Sequence, residues 1–112
     1  MPQFPAKARL FSTDQYSITL PQGHKFPVSK YGLLRSALQD EGKFQLEMSP
    51  FADLPTLALA HDPAYVHDFV DGRLAHSAMR RIGLPWSELL VKRALASVGG
   101  TVSASLDAIS TG

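Results

Sequence analysis

The apolar positions change period several times along the chain, and each change marks an element. Arg9, Leu10 and Phe11 read as a short strand, and Tyr16, Ile18 and Leu20 alternate after it until Pro21-Gln22-Gly23 breaks the run. His24 to Pro27 reads as a loop leading into a helix. Tyr31, Leu34 and Leu38 fall at i, i+3 and i+7 and predict a helix from about Val28 to Asp40. Pro27 or Ser29 is expected to start it and Gly42 to stop it. Asp40 and Glu41 sit at the end where the helix dipole disfavours anions. Phe44-Gln45-Leu46-Glu47-Met48 alternates apolar and polar residues, the clearest strand pattern in the sequence, and Ser49-Pro50 ends it.

Helical patterns fill the rest. Asp53 to His61 predicts a short helix, with Asp53 as N-cap and Pro55 in the first turn. Asp62-Pro63 is a second cap-and-proline start; Val66, Phe69 and Val70 form its apolar face and Gly72 stops it. A short helical piece from Leu74 to Arg80 precedes Gly83-Leu84-Pro85-Trp86. The last helix starts near Ser87. Its apolar stripe, Val91, Leu95, Val98, Val102, Leu106 and Ile109, is spaced 4, 3, 4, 4 and 3, a strong helical signal. Gly99-Gly100 inside this stripe costs roughly 1 kcal/mol per residue against alanine, which points to a backbone that packs closely against a neighbour.

The order strand, helix, strand, then helices predicts an α/β fold that opens with a βαβ unit and a parallel strand pair. Parallel sheets are covered on both faces and have more than two strands. The strand patterns run out at Met48, so the chain reads as the opening of an α/β domain.

Composition narrows the function classes. The chain has 112 residues, is 45% hydrophobic and 19% charged, and holds 8 glycines and 8 prolines, which fits one globular unit and excludes disorder and collagen-like repeats. Eleven basic residues face ten acidic ones, scattered along the chain, so electrostatic capture of nucleic acid has no support. No segment approaches the roughly 20 apolar residues of a membrane span, and Met1 to Lys7 holds no apolar leader. Cysteine is absent, which excludes disulfides, thiolate zinc ligation and a cysteine nucleophile. A cytoplasmic location is the expectation.

The candidate chemistry is sparse. His61-Asp62 and His67-Asp68 repeat a His-Asp pair, a pattern seen in metal-dependent phosphohydrolases. Six residues along a helix turn the two imidazoles about 120° apart, however, and Asp62 has a better role as a helix cap. No metal site is expected there. His67 and Asp71, at i and i+4, read as a surface pair. Ser87, Ser97, Ser103 and Ser105 lack the G-x-S-x-G context of a serine nucleophile. Gly99-Gly100-Thr101 lacks the upstream glycine and the lysine of a phosphate loop. Trp86 reads as a core anchor. The His24 to Pro27 loop stands after a strand and before a helix, where α/β folds place ligand sites, although its spacing alone favours a structural loop.

Four segments taken in order carry a family resemblance. His24-Lys25-Phe26-Pro27-Val28-Ser29-Lys30-Tyr31-Gly32-Leu33-Leu34-Arg35 resembles the first-loop and first-helix segment of the histone deacetylase family, closest to its class IV type and bacterial acetoin-utilisation-like relatives. His61-Asp62-Pro63-Ala64-Tyr65-Val66 is similar to the family's His-Asp-x-x-Tyr-Val stretch. Arg81-Ile82-Gly83-Leu84-Pro85-Trp86-Ser87 and Arg93-Ala94-Leu95-Ala96-Ser97-Val98-Gly99-Gly100-Thr101 follow in the family's order. Lys25 departs from the pattern, where relatives often carry proline.

The resemblance implies the N-terminal portion of an arginase/deacetylase-like parallel-sheet fold spanning residues 1–112. Members hydrolyse acyl amides such as acetyl-lysine or acetylpolyamine with one zinc ion, held by two aspartates and a histidine, and a tandem histidine pair moves protons. This chain has no His-His pair and no Asp-x-His sequence. The resemblance therefore implies zinc and an acylated amine substrate for a full-length protein, and no metal ligand or catalytic residue here. It implies a substrate-pocket rim made of His24, Phe26, Pro27, Lys30 and Tyr31, with Pro85 and Trp86 at a second rim loop. The alternative is a non-enzymatic interaction module. In either case the final apolar helix is expected to favour self-association.

Overall fold

The computed structural model describes residues 7–111. Two strands, β1 (Ala8–Ser12) and β2 (Phe44–Met48), pair in parallel, with Leu10 opposite Leu46. The helix α1 (Ser29–Glu41) connects them. The βαβ unit read from the order of elements is therefore present, as a small two-stranded sheet in a mostly helical α/β chain. The helices α2 (Leu54–Leu57), α3 (Pro63–Val70), α4 (His76–Ile82) and α5 (Glu88–Thr111) follow.

The local signals act through identifiable groups. Gly42 ends α1 in the left-handed region at φ 67°, and its N–H donates to Gln39 O. Asp53 Oδ1 accepts the Thr56 N–H at 2.8 Å, and Asp62 Oδ1 accepts the Ala64 N–H at 2.8 Å. Ser87 Oγ accepts the Leu90 N–H at 2.9 Å, which fixes the start of α5. Each bond satisfies a donor that a helix start leaves unpaired.

Several expectations are corrected. Tyr16 does not continue a strand-like alternation: Asp14–Tyr16 is a turn of 3-10 helix. Neither Pro27 nor Ser29 caps α1 with a side chain; Val28 holds the cap position without such a bond. The helix expected over 53–61 stops at Leu57, and the piece expected over 74–80 lies at His76–Ile82. Asp71 pairs with Arg73 at 3.0 Å instead of with His67.

In α5 the apolar stripe divides: Val91 is buried, whereas the C-terminal end is left open, as expected for an exposed apolar face. Leu106 and Ile109 are 59% and 81% exposed, whereas Ala96, Gly99 and Gly100 are buried. The small-residue face wins because the helix meets backbone. Ala52 N–H donates to Leu95 O at 2.9 Å, and Pro50 O fills the space that a Cβ on Gly99 would need. No larger side chain fits under that approach, so Gly99-Gly100 packs as closely as the sequence suggested.

The two long helices cover opposite faces of the strand pair. Side chains alternate along a strand, so Arg9, Phe11 and Glu47 share one face and Leu10, Leu46 and Met48 share the other. α5 lies on the first face: Asp107 accepts from Arg9 at 2.9 Å, and Gly100 lies against Phe11. α1 lies on the second, where Leu38 and Arg35 border Leu46. The contacts of α5 run from Ala52 at Leu95 to Arg9 at Asp107, so α5 is antiparallel to both strands.

The described chain is not closed around one core. Its radius of gyration is 16.6 Å, against about 13 Å for a compact domain of this length. The buried hydrophobic residues are Ile18, Val66, Leu90, Val91 and Ala96.

Candidate functional site

The connections at the carboxyl ends of the strands converge on one region. β1 leads through residues 13–28 into α1, and the antiparallel course of α5 brings its first turns to the same end. Parallel α/β sheets bind ligands at this end.

His24 organises the first loop. The Phe26 N–H donates to His24 Nδ1 at 3.1 Å, which makes Nδ1 the acceptor and leaves the proton on Nε2. Nε2 then donates to Gly83 O at 3.2 Å. One imidazole thus ties the loop before α1 to the turn after α4, 59 residues away. Gly83 makes that turn at φ 79°, a conformation that favours glycine.

Phe26 and Tyr31 stack with centroids 6.3 Å apart. The Arg93 guanidinium stands over both rings, 5.1 Å from Phe26 and 4.6 Å from Tyr31. Lys30 Nζ lies 5.1 Å from the Tyr31 ring. These distances place both cations within cation–π range. His24, Phe26, Lys30 and Tyr31, which the resemblance placed at a rim, therefore belong to one cluster. Pro27 is exposed in the same loop, and its carbonyl accepts the Lys30 N–H at 3.2 Å.

The second expected rim segment divides. Gly83 reaches the first loop, whereas Trp86 faces α3. Its indole N–H donates to Phe69 O at 2.7 Å, and its ring covers Gly72. At 37% exposed it is a half-covered anchor and not a core residue. Pro85 is exposed on the surface.

Arg93 was not among the rim residues read from the sequence. A basic residue in a mainly apolar helix is an available signal, but only the tertiary arrangement puts it over Phe26 and Tyr31. Arg93 also borders an open apolar cleft of about 390 Å³ between α3 and α5, lined by Leu57, His61, Tyr65, Phe69, Leu84 and Val98 among others. His61 and Tyr65 stack at its edge, 6.5 Å apart.

The arrangement is suited to holding a ligand. Aromatic faces, apolar walls and a guanidinium offer packing and charge. Among the described residues no group of three or more His, Cys, Asp or Glu is placed to hold a metal ion. No helix among them is long and apolar enough to cross a membrane.

No protein-family model matches the chain. The chain is 42% identical over 90 residues to an uncharacterized protein of Picosynechococcus sp., a match that covers 78% of this chain and 30% of that protein. The chain thus spans about 30% of the length of the curated relative it matches.

Proposed function

We propose that this chain is the N-terminal portion of a zinc-dependent hydrolase of the histone deacetylase type, with an arginase/deacetylase-like fold, and that it builds one wall of the substrate entrance. The full-length protein hydrolyses an acyl amide of lysine, a polyamine or a similar amine. The observation that supports this reading is the His24 to Gly83 hydrogen bond. It joins two segments of the resemblance at the carboxyl end of a parallel strand pair, beside Phe26, Tyr31 and Arg93. The described residues do not fit a zinc ion, because they present no ligand cluster. The chemical step belongs to residues outside this segment. The role of this chain is to shape and orient: Phe26 and Tyr31 offer flat apolar faces, and Arg93 holds them in register.

A second reading, a non-enzymatic self-associating module, is favoured by the exposed apolar residues Leu33, Leu106 and Ile109, at 70%, 59% and 81%.

The test compares this chain with the polypeptide extended through its reading frame. Stoichiometric zinc and acetyl-lysine amide hydrolysis in the extended form alone is the expected result. Zinc and turnover in the 112-residue chain, or neither property in the extended form across a panel of acyl amides, overturns the hydrolase reading.

A further inference from the structure

From the charges around the His24 to Gly83 junction we infer that the substrate is anionic: an acyl amide whose amine part carries a carboxylate, received by Arg93 and Lys30. The inference rests on the reading of this cluster as a substrate entrance, and it names the class of amine that enters.

The near-neutral total hides a separation of charge in space. No aspartate or glutamate stands between Asp14 and Asp40, between Asp71 and Glu88, or between Glu88 and Asp107. These are the stretches that meet: the first holds the His24 loop, the second the turn at Gly83 and the third Arg93. Lys25 and Lys30 come from the first, Arg80 and Arg81 close α4 just before Gly83, and Arg93 comes from α5. The acids that border these stretches are engaged or turned away. Arg35 takes Asp14 at 2.7 Å, Arg73 takes Asp71 at 3.0 Å, and Arg9 takes Asp107 at 2.9 Å. Asp40 stands at the far end of α1. Glu88 precedes Arg93 by five residues, which turns it about 140° around the helix. Among the described residues no carboxylate is ion-paired with Lys30 or Arg93.

The chemistry of the cluster selects the ligand. Arg93 is half-buried, and its charge meets the rings of Phe26 and Tyr31. A half-buried cation without a counter-ion gains from an anion brought beside it. The N–H fork of a guanidinium matches a carboxylate in two parallel hydrogen bonds, and Lys30 adds a second positive charge at the same ring. An ammonium group meets the opposite conditions. Aromatic faces bind cations, but here two cations of the chain already hold that position, so a polyamine is repelled where a carboxylate is drawn in. The aliphatic part of either amine packs equally well against Phe26 and Tyr31, so the far charge decides between them.

The experiment uses three probes that share one acetamide and one five-carbon spacer: ω-acetamidohexanoate, its primary amide and acetylcadaverine. They differ only at the far end, which is a carboxylate, a neutral amide or an ammonium. Binding is read on the 112-residue chain and on the form extended through its reading frame, by NMR titration of the Tyr31 ring and Arg93 side-chain signals. Hydrolysis, in which water breaks the same acetamide bond of each probe and releases acetate, is read on the extended form as kcat/KM. The carboxylate is expected to bind about tenfold or more tightly than the neutral amide, and acetylcadaverine is expected to bind most weakly. The advantage is expected to shrink as salt is raised. Arg93→Met is expected to bring the ratio of carboxylate to amide affinity within about twofold, and Arg93→Lys to keep part of it. Lys30 is exposed, so Lys30→Met tests the same ratio without disturbing packing. No binding, equal affinity for the three probes, a preference for acetylcadaverine, or a ratio unmoved by both methionine variants overturns the inference. Inorganic phosphate bound as tightly as the carboxylate also overturns it, since that identifies a general anion site. Selective carboxylate binding at Arg93 with no probe hydrolysed sinks the hydrolase reading and leaves the carboxylate assignment standing. Hydrolysis that favours acetylcadaverine sinks this inference alone.

Discussion

The backbone oxygen of Pro50 occupies the place that a Cβ on Gly99 would take, and Ala52 N lies 2.8 Å from that point. Both neighbours are backbone, so neither can swing aside. Gly99→Ala is expected to destabilise the chain by about 1–3 kcal/mol through overpacking, despite the roughly 1 kcal/mol that alanine adds to helix propensity. Chemical denaturation checks this. A neutral or stabilising result would mean that α5 does not sit at backbone distance from residues 50–52.

Gly100 meets a side chain instead. Its Cβ would stand 2.5 Å from Ser49 Oγ and 3.2 Å from Ser49 Cβ. Ser49 Oγ is buried and has no hydrogen-bond partner among the described residues. Ser49→Ala is therefore expected to be neutral or mildly stabilising. Combined with Gly100→Ala, it is expected to recover part of the loss caused by Gly100→Ala alone. A double-mutant cycle reads the coupling, and strict additivity would contradict the contact.

Trp86 reports on the connection between α3 and α4. Gly72 has φ +73°, and a Cβ there would lie 2.9 Å from the indole. Gly72→Ala is expected to displace the ring from its 2.7 Å hydrogen bond to Phe69 O and to red-shift the fluorescence of this single tryptophan. Trp86→Phe keeps most of the packing and loses that bond, at a cost of about 1 kcal/mol. An unchanged emission spectrum in the Gly72 variant would place Trp86 elsewhere.

Arg9 joins three elements. It bonds Glu47 at 2.6 Å and Asp107 at 2.9 Å, tying β1 to β2 and to α5. Hydrogen bonding to Glu47 and then to Asp107 holds its already high pKa higher still. The group stays protonated at any ordinary pH, so the pair responds to salt and not to alkali. Arg9→Met is expected to lower the melting temperature at low salt and to have a smaller effect at 1 M salt, where the Debye length is about 3 Å. The same loss at both salt concentrations would assign the role of Arg9 to packing.

Asp53 gives the chain an acid-sensitive cap. Its hydrogen bonds with Thr56, through side chain and backbone, hold its carboxyl below the usual aspartate range. A carboxyl with a lowered folded pKa contributes stability above its unfolded pKa. That contribution is lost as the pH falls through the lowered folded value. Thr56 amide protection is expected to persist at pH 5 and to fade below about pH 4. Asp53→Ala is expected to remove this pH dependence. Protection that ignores pH in the native chain would rule the cap out.

Much of the local structure was legible in the sequence. The alternation of residues 44–48 encodes β2, Gly42 ends α1, and Asp53 and Asp62 before proline-containing turns encode two helix starts. These signals act within a few residues, through side-chain period, backbone freedom and short hydrogen bonds. Gly99-Gly100 also carried a correct message, that something approaches closely. The identity of the approaching group was not legible, because Pro50 and Ala52 lie almost fifty residues away. The apolar period of α5 marked it as a helix but did not show which residues of that helix meet the rest of the chain. Ala96, Gly99 and Gly100 are buried where residues 50–52 approach at backbone distance, whereas Leu106 and Ile109 lie beyond that contact and stay exposed. The candidate site divides in the same way. The His24 to Tyr31 segment stood out by position, whereas Gly83 and Arg93 join it only through contacts made in the folded chain. Sequence by itself determined the period, the caps and the order of elements. The tertiary structure decided which faces meet, because that depends on the distance at which whole elements pack.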